Sequence, residues 1–231
     1  MNSLARSCAA ELAGTFTFVF IGAGAIITTA GGNLVAIALA HGFAFAMAVY
    51  ATGHISGGHI NPAVTLAMLA TKRIKLPAAI GYIICQLVGA SLAALVLKTT
   101  FPAEMLTETV RLGATLGSLS TSEHQMTVLV LEIILTFFLV MTIFAVAVDQ
   151  RGPKNVYGFA IGLTVAFDIL CAGALTGAGM NPARSFGPAL VGGHWDIHFV
   201  YWAGPIIGAC LAAYFYDLVL LPKEEKTEPS S

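Results

Sequence analysis

Apolar residues run along this chain in long blocks, and six of the blocks reach about 20 residues, near 9 to 30, 35 to 53, 77 to 97, 126 to 148, 156 to 176 and 197 to 220. At about 1.5 Å per residue, a helix of that length crosses a hydrocarbon layer about 30 Å thick. Two further blocks, roughly 61 to 70 and 181 to 191, are about half as long and can only enter and stop midway. Each of these opens on the same triplet, Asn61-Pro62-Ala63 and Asn181-Pro182-Ala183. Asn as the capping residue followed by Pro at the first helical position starts a helix sharply. The first long block, preceded by Arg6, resembles a signal peptide in outline. It contains Glu11 and five more spans follow it, so it reads as a retained span.

The two triplets lie 120 positions apart and mark a duplication. Glu11, Thr15 and Phe16 match Glu132, Thr136 and Phe137, and the run Gly89 to Ala94 matches Gly208 to Ala213. Each copy holds three full spans, an odd number, so the second must enter from the opposite face, giving an inverted repeat with its site at the midplane. The expected fold is an all-α membrane protein of six transmembrane helices plus two re-entrant half-helices. It is one channel domain over 1 to 231: repeat one from about 8 to 98, an external connection over 99 to 125, repeat two from 126 to 221, and a disordered polar tail over 222 to 231. With the N-terminus inside, Arg6, Lys72, Arg73, Lys75, Arg151, Lys154, Lys223 and Lys226 are cytoplasmic, against Lys98, Arg111 and Arg184 outside. That bias favours two cytoplasmic termini, and the host is expected to be the plasma membrane.

Composition agrees: 57% hydrophobic residues, 10% charged and a mean hydropathy of +0.84 are too apolar for an ordinary soluble domain. The lipid bilayer is the expected partner. A net charge of −1 without basic runs points away from nucleic acid. Cys8, Cys85, Cys171 and Cys210 lack metal-ligand spacing and are expected to pack as small hydrophobes. Small residues four apart, Gly158 and Gly162, Gly173 and Gly177, and Gly204, Gly208 and Ala212, are expected to let helices approach closely. Pro205 is expected to kink the last span.

Two half-helices meeting by their N-termini would bring two positive dipole ends to the centre of a pore and repel cations. There the Asn61 and Asn181 amides could donate to a passing oxygen and interrupt a proton wire. Arg184, a charge inside an apolar re-entrant segment, is expected to face a pore or partner. His41 read alone is a core histidine. Glu11 and Glu132, carboxylates at matching points of the repeat, suggest ion or proton coupling by default. Asp168 should point into the bundle, bonded to loop backbone. His54 and His59, five apart on a loop, do not form a metal site. No metal, no cofactor and no catalytic cluster of nucleophile, base or metal is expected.

From Glu11 to about Leu221 the chain resembles the major intrinsic proteins, or aquaporins. The resemblance rests on Ser56-Gly57-Gly58-His59-Ile60-Asn61-Pro62-Ala63-Val64-Thr65 and on Asn181-Pro182-Ala183-Arg184-Ser185-Phe186-Gly187-Pro188-Ala189. It implies a central constriction at Asn61 and Asn181 and a narrower selectivity filter outside it, made by His41, Ile169, Ala178 and Arg184. His41 then becomes a pore-lining donor, and Glu11 and Glu132 become structural acceptors that tie down the re-entrant loops. It also implies a homotetramer with one pore per subunit. An aliphatic Ile169 opposite Ala178 resembles the ammonia-permeable aquaporins of plant vacuoles and their animal relatives. No residue clearly matches the external-loop histidine that joins the filter in some of those. Ser185 directly after Arg184, with Ala189 and the pair Tyr201-Trp202, resembles the water-type branch.

The expected activity is passive conduction of water and small neutral solutes such as ammonia, with protons and ions excluded. A glycerol-type facilitator of the same family is one competing reading. A proton-coupled secondary transporter using Glu11, Glu132 and Asp168 is the other, since inverted repeats and broken helices fit both.

Overall fold

The computed structural model describes residues Ser3–Pro222 and contains eight α-helices and, among those residues, no strand. They are α1 (Ser3–Thr28), α2 (Leu34–Ser56), α3 (Pro62–Ala70), α4 (Leu76–Thr100), α5 (Gln125–Ile143), α6 (Tyr157–Thr176), α7 (Pro182–Gly192) and α8 (Val200–Phe215). α5 and α8 run on into π-helical turns, Phe144–Val148 and Tyr216–Leu220. The six long helices have the length and apolarity to span a bilayer, whereas α3 and α7, at 9 and 11 residues, do not. The protein is therefore a multi-pass membrane protein with two half-length helices. The tail expected from 222 onward lies, apart from Pro222, outside the described residues, as do Lys223 and Lys226.

Hydropathy misplaces one boundary. α1 begins at Ser3 rather than near 9, because its first turns carry Ser3, Arg6 and Ser7 and leave no apolar trace. The Ser7 hydroxyl donates to Ile55 O (3.0 Å), which ties this extension to the end of α2. Elsewhere the stops are chemical. α2 and α6 end at Gly57 and Gly177, 120 positions apart, each in the left-handed region (φ 94° and 85°) with its N–H returned to the carbonyl four residues back. Gly177, expected in a packing stripe, is thus a helix cap.

Packing repeats with the sequence. α1 lies on α4 as α5 lies on α8, α4 supports α7 as α8 supports α3, and α2 crosses α6 where the two repeats join. At that crossing a Cβ on Gly162 would stand 2.3 Å from Gly42 O, and one on Gly42 would stand 2.6 Å from Gly162 O. Only two glycines allow backbones so close, and their offset is again 120. Without a hydrophobic drive inside lipid, such close packing is what holds helices together. Large apolar side chains instead face outward, among them Phe43, Met47, Ile80, Met126, Val130 and Leu218. The cysteines are all free. None is fully buried and Cys171 is exposed.

The external connection leaves α4 at Thr100 and returns across the top of α6, where Ser118 N donates to Ala174 O (3.0 Å) and Leu119 N to Leu175 O (2.9 Å). On the inner face Arg73 makes two hydrogen bonds to Asp217 (2.7 and 2.6 Å) and lies over the Phe144 ring, 4.9 Å from its centroid. Beside it Asp149 accepts from Arg151 and from the Tyr216 hydroxyl (3.1 Å), and Arg151 donates to Leu220 O (3.0 Å). Those bonds clamp the turn between α5 and α6 to the end of α8.

Candidate functional site

The two half-helices meet by their N-termini. Asn61 and Asn181 sit in extended conformation just before α3 and α7, and each side-chain oxygen caps its own helix: Asn61 Oδ1 accepts from Ala63 N (2.8 Å), Asn181 Oδ1 from Ala183 N (3.0 Å). Each amide nitrogen then reaches across to the other repeat. Asn61 Nδ2 donates to Met180 O (2.8 Å) and Asn181 Nδ2 to Ile60 O (2.9 Å). A primary amide has two N–H groups, so one on each asparagine stays outside this exchange. Ile60 and Met180 occupy the left-handed region (φ 56° and 51°), a strained conformation for such side chains that turns their carbonyls toward the opposing asparagine.

Two buried carboxylates hold those loops. Glu11 accepts from His59 N (3.0 Å), Ile60 N (2.6 Å), the Ser56 hydroxyl (2.6 Å) and Gln86 Nε2 (2.8 Å). Glu132 accepts from Gly179 N (2.9 Å), Met180 N (2.8 Å) and the Thr176 hydroxyl (2.8 Å). Both are 0% exposed, and loop backbone would lack partners at this depth without them. Asp168 is buried as well, yet neither of its oxygens meets a hydrogen-bond donor. The expected bond to loop backbone is not made; the amides of Gly179 and Met180 donate to Glu132.

Above the asparagines a cavity of about 730 Å³ opens outward, with His41, Ile169 and Arg184 in its lining. Ala178, buried and left-handed (φ 45°), is not part of that wall. Below them a cavity of about 260 Å³, lined by Val49, Gly58, His59, Ile161 and Arg73 among others, opens inward. The outer one reaches Arg184, three residues past Asn181, and the inner one reaches His59, two before Asn61. Through the repeat His41 corresponds to Ile161 and Ile169 to Val49, so at this pair of positions the histidine lies on the outer side only, while His59 and Arg73 supply the polar groups of the inner lining.

Arg184, only 2% exposed, donates through Nη1 to Gly113 O (2.9 Å) and to the Thr115 hydroxyl, and its Nη2 lies 3.1 Å from His41 Nε2. Since His41 Nδ1 sits 2.9 Å from Ile37 O, which can only accept, the hydrogen is on Nδ1 and Nε2 accepts from the arginine. This corrects the expectation of a histidine donor: its one N–H is engaged within its own helix. Gly22 makes room for the ring, for a Cβ there would lie 2.4 Å from His41 Cδ2.

Sequence reasoning missed the external connection's part in this cluster. Gly113 and Thr115 reach Arg184 only because Arg111, Leu112 and Gly113 take three successive left-handed conformations (φ 44°, 53° and 70°). Ser120 meets the Tyr201 hydroxyl (2.7 Å), which donates to Thr176 O (2.7 Å). The Ser185 hydroxyl donates to Thr115 (3.0 Å). Nothing local in 99 to 125 announces these long-range contacts.

With this geometry in place, comparison with known proteins is direct. The family model described as "Major intrinsic protein" matches residues 1–216. Probable aquaporin TIP3-2 of Arabidopsis thaliana is 43% identical over 234 residues, covering 94% of this chain and 84% of its own length. Aquaporin TIP4-4 of Zea mays is 44% identical, covering 92% and 85%. Aquaporin-4 of Mus musculus is 42% identical, covering 95% and 69%. The fold is similar to that of the aquaglyceroporin from Plasmodium falciparum (TM-score 0.83, 23% identity, 94% and 96% covered). The TIP-type plant relatives lend no support to the plasma membrane expected as host. Its two capped half-helices, the family match over most of the sequence and relatives above 40% identity together place the chain in the major intrinsic protein family, as an aquaporin-family membrane channel.

Proposed function

We propose that this channel conducts water and neutral ammonia, with Asn61 and Asn181 at its central constriction and His41, Ile169 and Arg184, backed by Ala178, as its outer filter. The observation that carries the reading is the set of filter positions lining the outer cavity: the paired Arg184 guanidinium and His41 imidazole, together with the aliphatic Ile169. An aliphatic group at that position donates no hydrogen bond, so selection there relies on size and on the Arg184 charge. Ammonia, which is neutral and about the size of water, passes both criteria, and ammonium is turned back by the guanidinium and the two helix N-termini. At the centre the remaining N–H of each asparagine faces a single-file oxygen or nitrogen and breaks the chain of hydrogen bonds that protons would follow. Glu11 and Glu132 act as fixed acceptors. Their engagement by loop amides argues against a proton-coupled transporter, which needs carboxylates free to exchange protons. A homotetramer with one pore per subunit accompanies this reading through the family resemblance.

The test is stopped-flow measurement on proteoliposomes containing the full chain. The expected result is fast water flux with low activation energy and no dependence on a pH gradient. An ammonia gradient should also alkalinise the lumen faster than in empty vesicles. Rapid water flux with ammonia uptake no better than empty vesicles would sink the ammonia part. Glycerol flux matching that of water would favour the facilitator reading instead.

A further inference from the structure

An apolar groove of about 500 Å³ runs along the outside of the molecule between α4 and the re-entrant α7. Its α4 wall is the stripe Ile84, Val88, Ser91 and Leu95, spaced by three and four residues so that all lie on one face, and Phe186 and Leu190 form the other wall. From Ile84 to Leu95 the stripe rises about 16 Å, close to half of the roughly 30 Å hydrocarbon layer. The Ser91 hydroxyl, the one polar side-chain group in the lining, already donates to Leu87 O of its own helix (2.8 Å) and asks for no partner. One helical turn beyond Leu95, exposed Lys98 places its ammonium 3.0 Å from Val191 O, a groove residue. Of the three cations expected on that side, Arg111 is paired with Asp196 and Arg184 is buried in the filter cluster. Lys98 has no acidic partner among the described residues, and two of its three N–H donors are left for an anion.

We infer that this groove is a specific site for an anionic phospholipid of the Lys98-side leaflet, with one acyl chain along the Ile84 to Leu95 stripe and its phosphate on Lys98. The groove is about one leaflet deep, apolar apart from the Ser91 hydroxyl, and charged only at the level where headgroups begin. A helix of a protein partner would seek small residues at its contact, and the lining instead presents Ile84, Leu87, Leu92, Phe186 and Leu190. Because α7 carries Arg184 on its buried face, the lipid would support the outside of the helix that positions the filter.

Native mass spectrometry of the purified full chain in detergent, titrated with phosphatidylglycerol or phosphatidylcholine, tests the site. The wild type should retain phosphatidylglycerol in preference to phosphatidylcholine. Lys98→Gln should weaken retention about five-fold, as expected for one cation near a headgroup. Val88→Trp and, independently, Leu92→Trp, at a residue that lines the same α4 wall, should fill the groove and abolish retention. Water flux in proteoliposomes should stay at the wild-type level in at least one of these variants, which reports an intact fold. Equal retention of phosphatidylglycerol by wild type, Lys98→Gln and a flux-competent tryptophan variant would overturn the inference. So would failure of the wild-type protein to retain it because a second copy of the chain covers the groove.

Discussion

Arg184 is the residue on which most of the outer site converges, held by the Gly113 carbonyl, the Thr115 hydroxyl and the His41 ring. A unit charge about 4 Å from a passing cation adds about 4 kcal/mol to its barrier at an effective dielectric of 20. Arg184→Ala should therefore raise proton and small-cation leak at least about ten-fold, read as dissipation of a pH gradient across proteoliposomes. Gly22 offers a quieter test. An added methyl would stand 2.4 Å from the His41 ring, so Gly22→Ala should displace the imidazole and change the water-to-ammonia flux ratio while Arg184 stays bonded to Thr115. An unchanged ratio would show that His41 does not shape selection. At this scale the sequence was only partly legible. The asparagine triplets and Arg184 stand out by residue type and setting, and Ile169 and Ala178 only by resemblance. His41 was expected to donate and instead accepts from Arg184, because its tautomer depends on a backbone carbonyl and an arginine 143 positions away.

Helices and turns were far more readable, since a bilayer leaves few ways to satisfy a backbone and hydropathy reports them directly. The boundary at Ser3 escaped because a polar turn outside the lipid has no hydropathy signal. The contacts of the external connection escaped because they depend on tertiary approach. The loops that bear the asparagines rest on one glutamate each. Glu132→Ala would leave the amides of Gly179 and Met180 buried without acceptors, at about 1–3 kcal/mol apiece. Thermal unfolding in detergent should show a clearly lowered midpoint, with water flux reduced in the surviving protein. The inner clamp gives a pH dependence. Hydrogen bonds from Arg151 hold the Asp149 carboxyl well below its ordinary value of about 3.9. A lowered folded-state value means that the clamp's contribution is fully present above that ordinary value and is lost as pH falls below it. Stability should accordingly be flat from neutral pH to about 4.5 and decline below about 3.9, and Asp149→Asn should remove that part of the decline.

For the whole molecule, the inverted duplication was visible in the offsets near 120, and it reappears in paired features: Gly42 and Gly162, Gly57 and Gly177, Ile60 and Met180. The symmetry is broken at the cavities, where His41 outside stands against Ile161 inside; the residue types are in the sequence, and the cavities they line are not. The exchange of hydrogen bonds between Asn61 and Met180, and between Asn181 and Ile60, also bears on biogenesis. Until the ribosome has delivered residues 180 and 181 into the lipid, the first half lacks both the acceptor for its amide and the donor for its carbonyl. Closure of the conduit then waits for the second repeat. A truncated N-terminal half made alone should be cleared by quality control, and supplying the missing half as a separate polypeptide should rescue it.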